Sequence, residues 1–250
     1  MEKEILRLRE NKLFAITGKS GSGKDTQVKK FEENLEVSII TSLLAGSNKI
    51  LPEDSCEIKE ESYPVKRAVL DTSRPMRENE VNGVTYNFIS YDEFVKNINS
   101  GKYLEYREYQ TAYGTWYYGT PIDAIDLEKS SYVIPITPNL IQKLNESFDP
   151  SSVVVVNLNY EKKELFKRCI SREIHKIVHS SSEYLSQLAI YEIYRRVEDD
   201  SVRYADSVSS LLNDKNIYVS VDDIRLLPDE VFHSVIQQLR LRFIKDNFML

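Results

Sequence analysis

Lys12 to Thr26 reads KLFAITGKSGSGKDT, and no other stretch restricts the architecture as strongly. Leu13 to Thr17 is a short apolar run without helical spacing, which predicts a fully buried strand. Gly18, Gly21 and Gly23 then punctuate a tight loop, with Ser20 and Ser22 between them, and Lys24 to Glu33 continues as a helix. Strand, glycine loop and helix in that order form a P-loop, Gly18-x-x-x-x-Gly23-Lys24. Glycines let the backbone curl so that successive N–H groups face phosphate oxygens, and the helix N-terminus adds partial positive charge. Lys24 supplies a mobile cation for the β- and γ-phosphates of ATP. Asp25 stands where the motif normally offers a hydroxyl to Mg²⁺, and Thr26 follows it. A carboxylate beside a triphosphate repels it unless a cation lies between them, so one reading places Asp25 against Mg²⁺ or its waters. The other makes it a helix N-terminal acid favoured by the macrodipole.

Composition narrows the class. A chain of 250 residues holds one large domain or a core with appended subdomains. The net charge of −6 argues against a broad electropositive surface for nucleic acid. Two cysteines, Cys56 and Cys169, form neither a disulfide framework nor a metal-ligand cluster, and reduced thiols are the default. The first residues, MEKEILRLRENK, are charged rather than signal-like, and no apolar run approaches the roughly 20 residues that span a bilayer. A cytoplasmic protein without a membrane partner is expected. The 16 tyrosines crowd between Tyr86 and Tyr132, which hints at a polar ligand among rings that mostly pack.

Along the chain, Glu2 to Asn11 reads as a short helix or arm, Val37 to Ser42 as a second strand, and Leu43 to Pro64 as a surface excursion. Val65 to Asp71 is strand-like and leads into Thr72 to Ile89, TSRPMRENEVNGVTYNFI. Arg74 and Arg77 lie three apart on a proline-containing turn, so both can converge on one compact phosphate dianion through paired hydrogen bonds. Tyr86 can add its hydroxyl, Glu80 can orient the arginines, and Gly83 serves a turn. Thr72, Ser73, Arg74, Arg77, Glu80, Gly83, Tyr86 and Phe88 together resemble the signature of guanylate kinases. The resemblance runs from about the first strand to Pro121 and more weakly to Arg196. It implies that Arg74, Arg77 and Tyr86 hold the phosphate of GMP.

Tyr91 to Gly101 predicts a short helix, and Tyr103 to Pro121 a tyrosine-rich hairpin. Guanylate kinases carry a similar Leu-Glu-aromatic strand and Tyr-Tyr-Gly-Thr segment, which implies that Glu105 reads guanine, Tyr118 contacts phosphate and Thr120 touches the base. Guanine presents N1–H and N2–H to one carboxylate and O6 to a hydroxyl, a pattern adenine lacks. The spacing from Glu105 to Tyr118 is longer than the family's, and Tyr113-Gly114-Thr115 is a second candidate; the longer Tyr-Tyr-Gly-Thr-Pro string favours Tyr118 and Thr120. Two departures stand out. Tyr132 to Thr137 (YVIPIT) is the core strand that ends in an acid in guanylate kinases, yet Pro135 and Thr137 stand here, and Leu70 replaces the family's serine. Asp71 or Asp25 can supply the missing carboxylate.

Val153 to Leu158 (VVVVNL) predicts a buried parallel strand. Tyr160 to His179 and Ala189 to Asp199 read as helices leading into and out of a lid. Kinases of the resembling class bring lid arginines onto the phosphates, which implies Arg168 on ATP and Arg172 with Arg196 in catalysis. Surface charge is the alternative for each. His175 and His179 sit four apart without a third metal ligand and read as exposed. Asn216 to Asp222 is a last strand and Pro228 to Phe248 a closing amphipathic helix.

The expected fold is a three-layer α/β P-loop domain with a mostly parallel sheet. Its core comprises 10–64, 122–167 and 197–250, with a small β-rich monophosphate-binding region at 65–121 and a helical lid at 168–196. The expected function is ATP- and Mg²⁺-dependent phosphorylation of GMP or dGMP. The alternatives are a kinase for another (deoxy)nucleoside monophosphate, or a guanylate kinase-like domain that binds protein partners.

Overall fold

A computed structural model describes residues 11–34, 65–78, 80–111, 113–179, 187–205 and 207–248. The expected arm at 2–11, apart from Asn11, the strand at 37–42 and the excursion at 43–64 lie outside them.

The P-loop strand β1 (Leu13–Gly18) forms the middle of a five-stranded sheet. It pairs in parallel with β7 (Tyr132–Ile136) on one side and β8 (Val153–Leu158) on the other. Beyond these lie β2 (Lys66–Arg67) and β9 (Ile217–Val221), also parallel, giving the order β2-β7-β1-β8-β9. The continuous apolar runs follow from burial on both faces. The pleat sends Phe14 and Ile16 to one side, where they meet Val28 and Phe31 of α1 (Lys24–Glu33) and Phe232, Val235 and Leu239 of the C-terminal helix Pro228–Phe248. Leu13 and Ala15 face the other side, against Leu140, Ile141 and Leu144 of a second helix, Leu140–Ser147. Helix, sheet, helix is the expected three-layer arrangement.

A second sheet has the order β4-β3-β6-β5, with β3 (Asp71–Thr72), β4 (Asn87–Phe88) and the long hairpin β5 (Tyr103–Thr111) and β6 (Gly114–Pro121). The single strand expected at Val65 to Asp71 is therefore two short ones. Lys66 and Arg67 pair with β7 of the core sheet, whereas Asp71 and Thr72 pair with β4 and β6. The chain changes sheets between them. Helix α2 (Tyr91–Asn99), capped by Ser90 Oγ accepting from the Glu93 amide, covers the second sheet with Phe94. Phe94 is fully buried and stacks on Tyr103 at 4.6 Å and on Tyr117 at 5.2 Å. Two longer helices, Lys162–His179 and Gln187–Arg203, complete the cleft side. The expected lid boundaries at 168 and 196 both fall inside these continuous helices.

Candidate active site

The phosphate loop leaves the carboxyl end of β1. Gly18 has φ 155°, and a Cβ there would meet Leu158 Cβ and Leu158 O at 2.9 Å and Ser22 Oγ at 2.6 Å, so only glycine fits. Lys24 Nζ donates to Gly18 O at 2.5 Å, folding the ammonium back onto its own loop. Burial would lower its pKa, but the Tyr204 phenol and the carboxylates of Asp25 and Asp200 outweigh this and raise it. The helix Gln187–Arg203 and the turn after it brace the loop. Ser20 N–H donates to Asp200 Oδ2 at 2.7 Å, and the Tyr204 hydroxyl donates to Gly18 O at 2.6 Å.

A cavity of about 380 Å³ opens from this loop. Its floor near the sheet holds Leu70, Pro135 and Thr137, and Asp25 and Thr26 stand at the loop end. Arg77, Arg172 and Arg196 enter from separate segments. Burial lowers the Arg196 pKa, and the nearby guanidinium groups of Arg172 and Arg77 lower it further, the signature of cations gathered on one space. Arg195 is spent differently, bonded to Glu192 at 2.9 Å and to Asp199.

An adjoining recess of about 240 Å³ contains Arg74, Arg77, Glu80, Tyr86 and Tyr118. The Thr-Ser-Arg segment is held on the hairpin: Thr72 Oγ1 donates to Tyr117 O at 2.8 Å, and Ser73 Oγ accepts from Tyr117 N at 2.9 Å. Arg74 is thereby fixed beneath the rings of Tyr86, Phe88 and Tyr118, with its guanidinium 5.2, 5.3 and 6.0 Å from their centres. Glu80 accepts two hydrogen bonds from it, at 2.7 and 2.5 Å, and a third from the Arg77 amide at 2.8 Å. Glu80 thus holds the Arg74 guanidinium and the Arg77 backbone. Burial, reinforced by Asp25, raises the Tyr86 pKa, so its phenol stays a donor. Gly83, at φ 78°, makes the turn between the arginines and Tyr86.

Lys24, Asp25, Thr26, Arg77, Tyr86, Tyr118, Arg172 and Arg196 therefore share one cleft with Ser20, Gly21 and Gly23, and Arg74 and Glu80 lie in its recess. Other candidates stand apart. Arg168 donates to Ile224 O and lies 5.4 Å over the Tyr160 ring, outside the cavity lining. Glu105 and Thr120 are directly paired across the hairpin and buried, and neither lines the cavity. Tyr113, the rival to Tyr118, is exposed at the hairpin tip. Asp71 is not the missing carboxylate. It is fully buried and accepts from Asn87 Nδ2 at 2.8 Å, Lys102 Nζ at 2.9 Å and Tyr103 OH at 2.9 Å. Asp25 lines the cavity and stays exposed.

Sequence reasoning missed Arg107, Tyr109 and Trp116 on the hairpin and Asp199, Asp200, Arg203 and Tyr204 on the returning helix and turn, all of which line the cavity. Period two from Glu105 places 105, 107, 109 and 111 on one face of β5. Arg203 ties the hairpin to the helix, donating to Glu108 O at 3.1 Å with its guanidinium 4.4 Å from the Tyr109 ring centre.

A phosphate loop, a clustered set of arginines and a tyrosine-walled recess on this sheet order invite comparison with known proteins. The family model described as guanylate kinase matches residues 37–212. The chain belongs to the guanylate kinase family. That match begins after the P-loop, so the loop is independent support. The guanylate kinase of Campylobacter jejuni strain RM1221 is 27% identical over 207 residues, covering 80% of this chain and 87% of its own. The guanylate kinase of Symbiobacterium thermophilum is 31% identical over 148 residues, 58% of this chain and 56% of its own. The crystal structure of guanylate kinase from Anaplasma phagocytophilum superposes with a TM-score of 0.53 over 97% of both chains at 14% identity, a likeness of fold. Among the described residues no helix is long and apolar enough to cross a membrane.

Proposed function

We propose that this chain transfers the γ-phosphoryl group of ATP to GMP, yielding ADP and GDP. The observation that carries the reading is the meeting of a complete phosphate loop and the arginines Arg77, Arg172 and Arg196 on one cavity. ATP phosphates take the loop amides, and the dianion of the monophosphate takes Arg77, Arg74 and the hydroxyls of Tyr86 and Tyr118. Lys24 leaves Gly18 O for the γ-phosphoryl oxygens, where negative charge spreads during transfer. Arg172 and Arg196 meet that charge from the opposite side. Their cost of mutual repulsion falls when the phosphates arrive, so they bind the transferring group more tightly than they hold each other. Catalysis is alignment plus preorganised charge, with no covalent intermediate on the protein.

The residues fit Mg²⁺ in its usual role beside nucleotides. Asp25 and Thr26 line the cavity at the loop end and offer oxygen donors of the kind this ion takes. Asp25 and Thr26 would hold it, and when bound it neutralises charge on the β- and γ-phosphates. The monophosphate region at 65–121 and the lid at 168–196 form the two moving walls of this proposal, with the remaining sheet as the fixed core.

Coupled detection of ADP with GMP, dGMP, AMP, dTMP and CMP in turn tests the reading. GMP or dGMP should give the highest kcat/KM. A preference for another base would leave a monophosphate kinase with a different substrate, and no acceptor-dependent ADP from any of them would end the kinase reading.

A further inference from the structure

Arg107 occupies a position that the phosphate chemistry leaves unused. It lies on the inward face of β5, one inward-facing position nearer the hairpin tip than Glu105, and lines the cavity where Glu105 does not. Its side chain is 13% exposed and that of Glu105 10%, so the pair is largely withdrawn from water. Arg107 Nε stands 3.1 Å from Glu105 Oε1, close enough for an ion pair. The two atoms are not aligned for a hydrogen bond, and each is buried without a hydrogen-bond partner among the described residues. The same holds for the hydroxyl of Thr120, directly opposite Glu105. Arg107 Nε and Glu105 Oε1 meet only as an ion pair and the Thr120 hydroxyl has no partner among the described residues, so hydrogen-bonding capacity on this hairpin face is left unused. The terminal nitrogens of Arg107 also donate to no described acceptor, although a buried guanidinium ordinarily satisfies its fork.

The neighbouring rings say what kind of partner fits. Tyr86, Tyr109 and Tyr118 line the cavity with Arg107, a flat-walled environment suited to a planar base. Guanine carries N7 and O6 acceptors side by side and then the N1–H and N2–H donors. An arginine fork facing the cavity presents two donors to the N7 and O6 acceptors. Arginine pairing with O6 and N7 together is a favoured geometry for this base. Adenine offers a donor at C6, and pyrimidines lack the N7 acceptor.

We infer that Arg107 is the specificity-determining residue of the monophosphate site, donating from its guanidinium to O6 and N7 of guanine, while Glu105 stands behind it, outside the cavity, and orients the guanidinium. This rests on the GMP kinase reading and assigns its base recognition to an arginine held by a carboxylate rather than to a carboxylate alone.

The test uses GMP, 7-deaza-GMP, in which carbon replaces N7, and IMP, which lacks the 2-amino group. The intact chain should prefer GMP over 7-deaza-GMP by about tenfold in kcat/KM, the upper range for loss of half a bidentate contact. Arg107→Lys keeps the charge opposite Glu105 but loses the fork, and should bring GMP and 7-deaza-GMP to within about twofold. Its GMP-to-IMP ratio, which reports on contacts to the 2-amino group, should stay near that of the parent, and its KM for ATP should not move. Equal use of GMP and 7-deaza-GMP by the parent chain overturns the assignment with no variant needed. So does an Arg107→Lys protein that keeps the 7-deaza preference, or one that loses both ratios together, which would make Arg107 a mere support for the pocket. A chain that phosphorylates no guanine nucleotide defeats the GMP kinase reading itself, an outcome distinct from these.

Discussion

Glu80→Gln separates the two jobs of the Arg74–Glu80 pair, holding the fold and shaping the phosphate recess. The Arg74 side chain is 2% exposed and that of Glu80 14%, so the pair is not a solvent-screened surface contact. Two charge-assisted hydrogen bonds and one from the Arg77 amide converge on the carboxylate. The substitution keeps the shape and one acceptor oxygen but removes the charge, leaving a buried guanidinium partly uncompensated. Loss of a hydrogen bond to a charged group costs about 1.5–3 kcal/mol, and roughly 1 kcal/mol lowers Tm by about 2–4 °C at this chain length. A fall of roughly 3–12 °C is expected in calorimetric melts of the protein alone. Saturating GMP should widen the gap, because a variant that binds GMP about tenfold more weakly gains less stabilisation from it. KM for GMP should rise about tenfold with KM for ATP unchanged. Acid gives a further check. Burial alone would raise the Glu80 pKa, but the hydrogen bonds from Arg74 and the Arg77 amide outweigh it and hold the group low. A depressed folded pKa means that the stabilisation is complete above the unfolded value near ~4.3 and is lost as pH falls through the lower folded value. The melting gap between parent and variant should therefore be full at neutral pH and close in strong acid. Identical Tm and KM values at neutral pH would refute the idea that this pair organises the recess.

Lys24→Met should lower kcat at least ~10²-fold while circular dichroism and Tm stay near parental, since the ammonium acts on the transferring phosphoryl group; near-normal turnover would remove Lys24 from the mechanism. Arg77→Ala should raise KM for GMP about ten- to a hundredfold by losing a charge-assisted contact, with KM for ATP little changed, in steady-state assays that vary each substrate. Equal damage to both constants would put Arg77 on the triphosphate instead. Asp71→Ala should cost about 2–4 kcal/mol in urea melts, because it strips a buried acceptor from Asn87, Lys102 and Tyr103 together. The folded fraction should retain its kcat, and a large kcat loss at full stability would return Asp71 to the active site.

Much of the core was readable because its signals are local. The strand and loop from Leu13, the runs YVIPIT and VVVVNL, and the closing helix from Pro228 each announce themselves by periodicity, glycine or capping. The helix at Tyr91 starts where Ser90 caps it. Long-range arrangement was not readable. Val65, Ala68, Leu70, Asp71 and Thr72 are all buried, so the stretch looks like one strand although it serves two sheets. Asp71 looked available because sequence cannot show Lys102 and Tyr103 arriving from 31 and 32 residues away. Arg107 was passed over because a lone cation among tyrosines resembles the wet face of a hairpin. Only the pairing of Glu105 with Thr120 and of Arg107 with Tyr118 reveals that this face turns inward. Arg168, by contrast, was expected on ATP from the family resemblance, and its guanidinium instead reaches Ile224 beyond β9.

The link between Arg203 and the hairpin has a kinetic consequence. Tyr109 stands on one wall of the cleft and Arg203 on the other, and the cation rests on the ring while its hydrogen bond holds Glu108 O. On the proposed reading, GMP and GDP would occupy the cavity that these two walls line, and parting the walls would first require this link to break. A cation–π contact and one hydrogen bond together hold them with about 1–2.5 kcal/mol, enough to slow opening by roughly five- to seventyfold relative to unlinked walls. Release of product would then depend on a residue that touches no reacting atom.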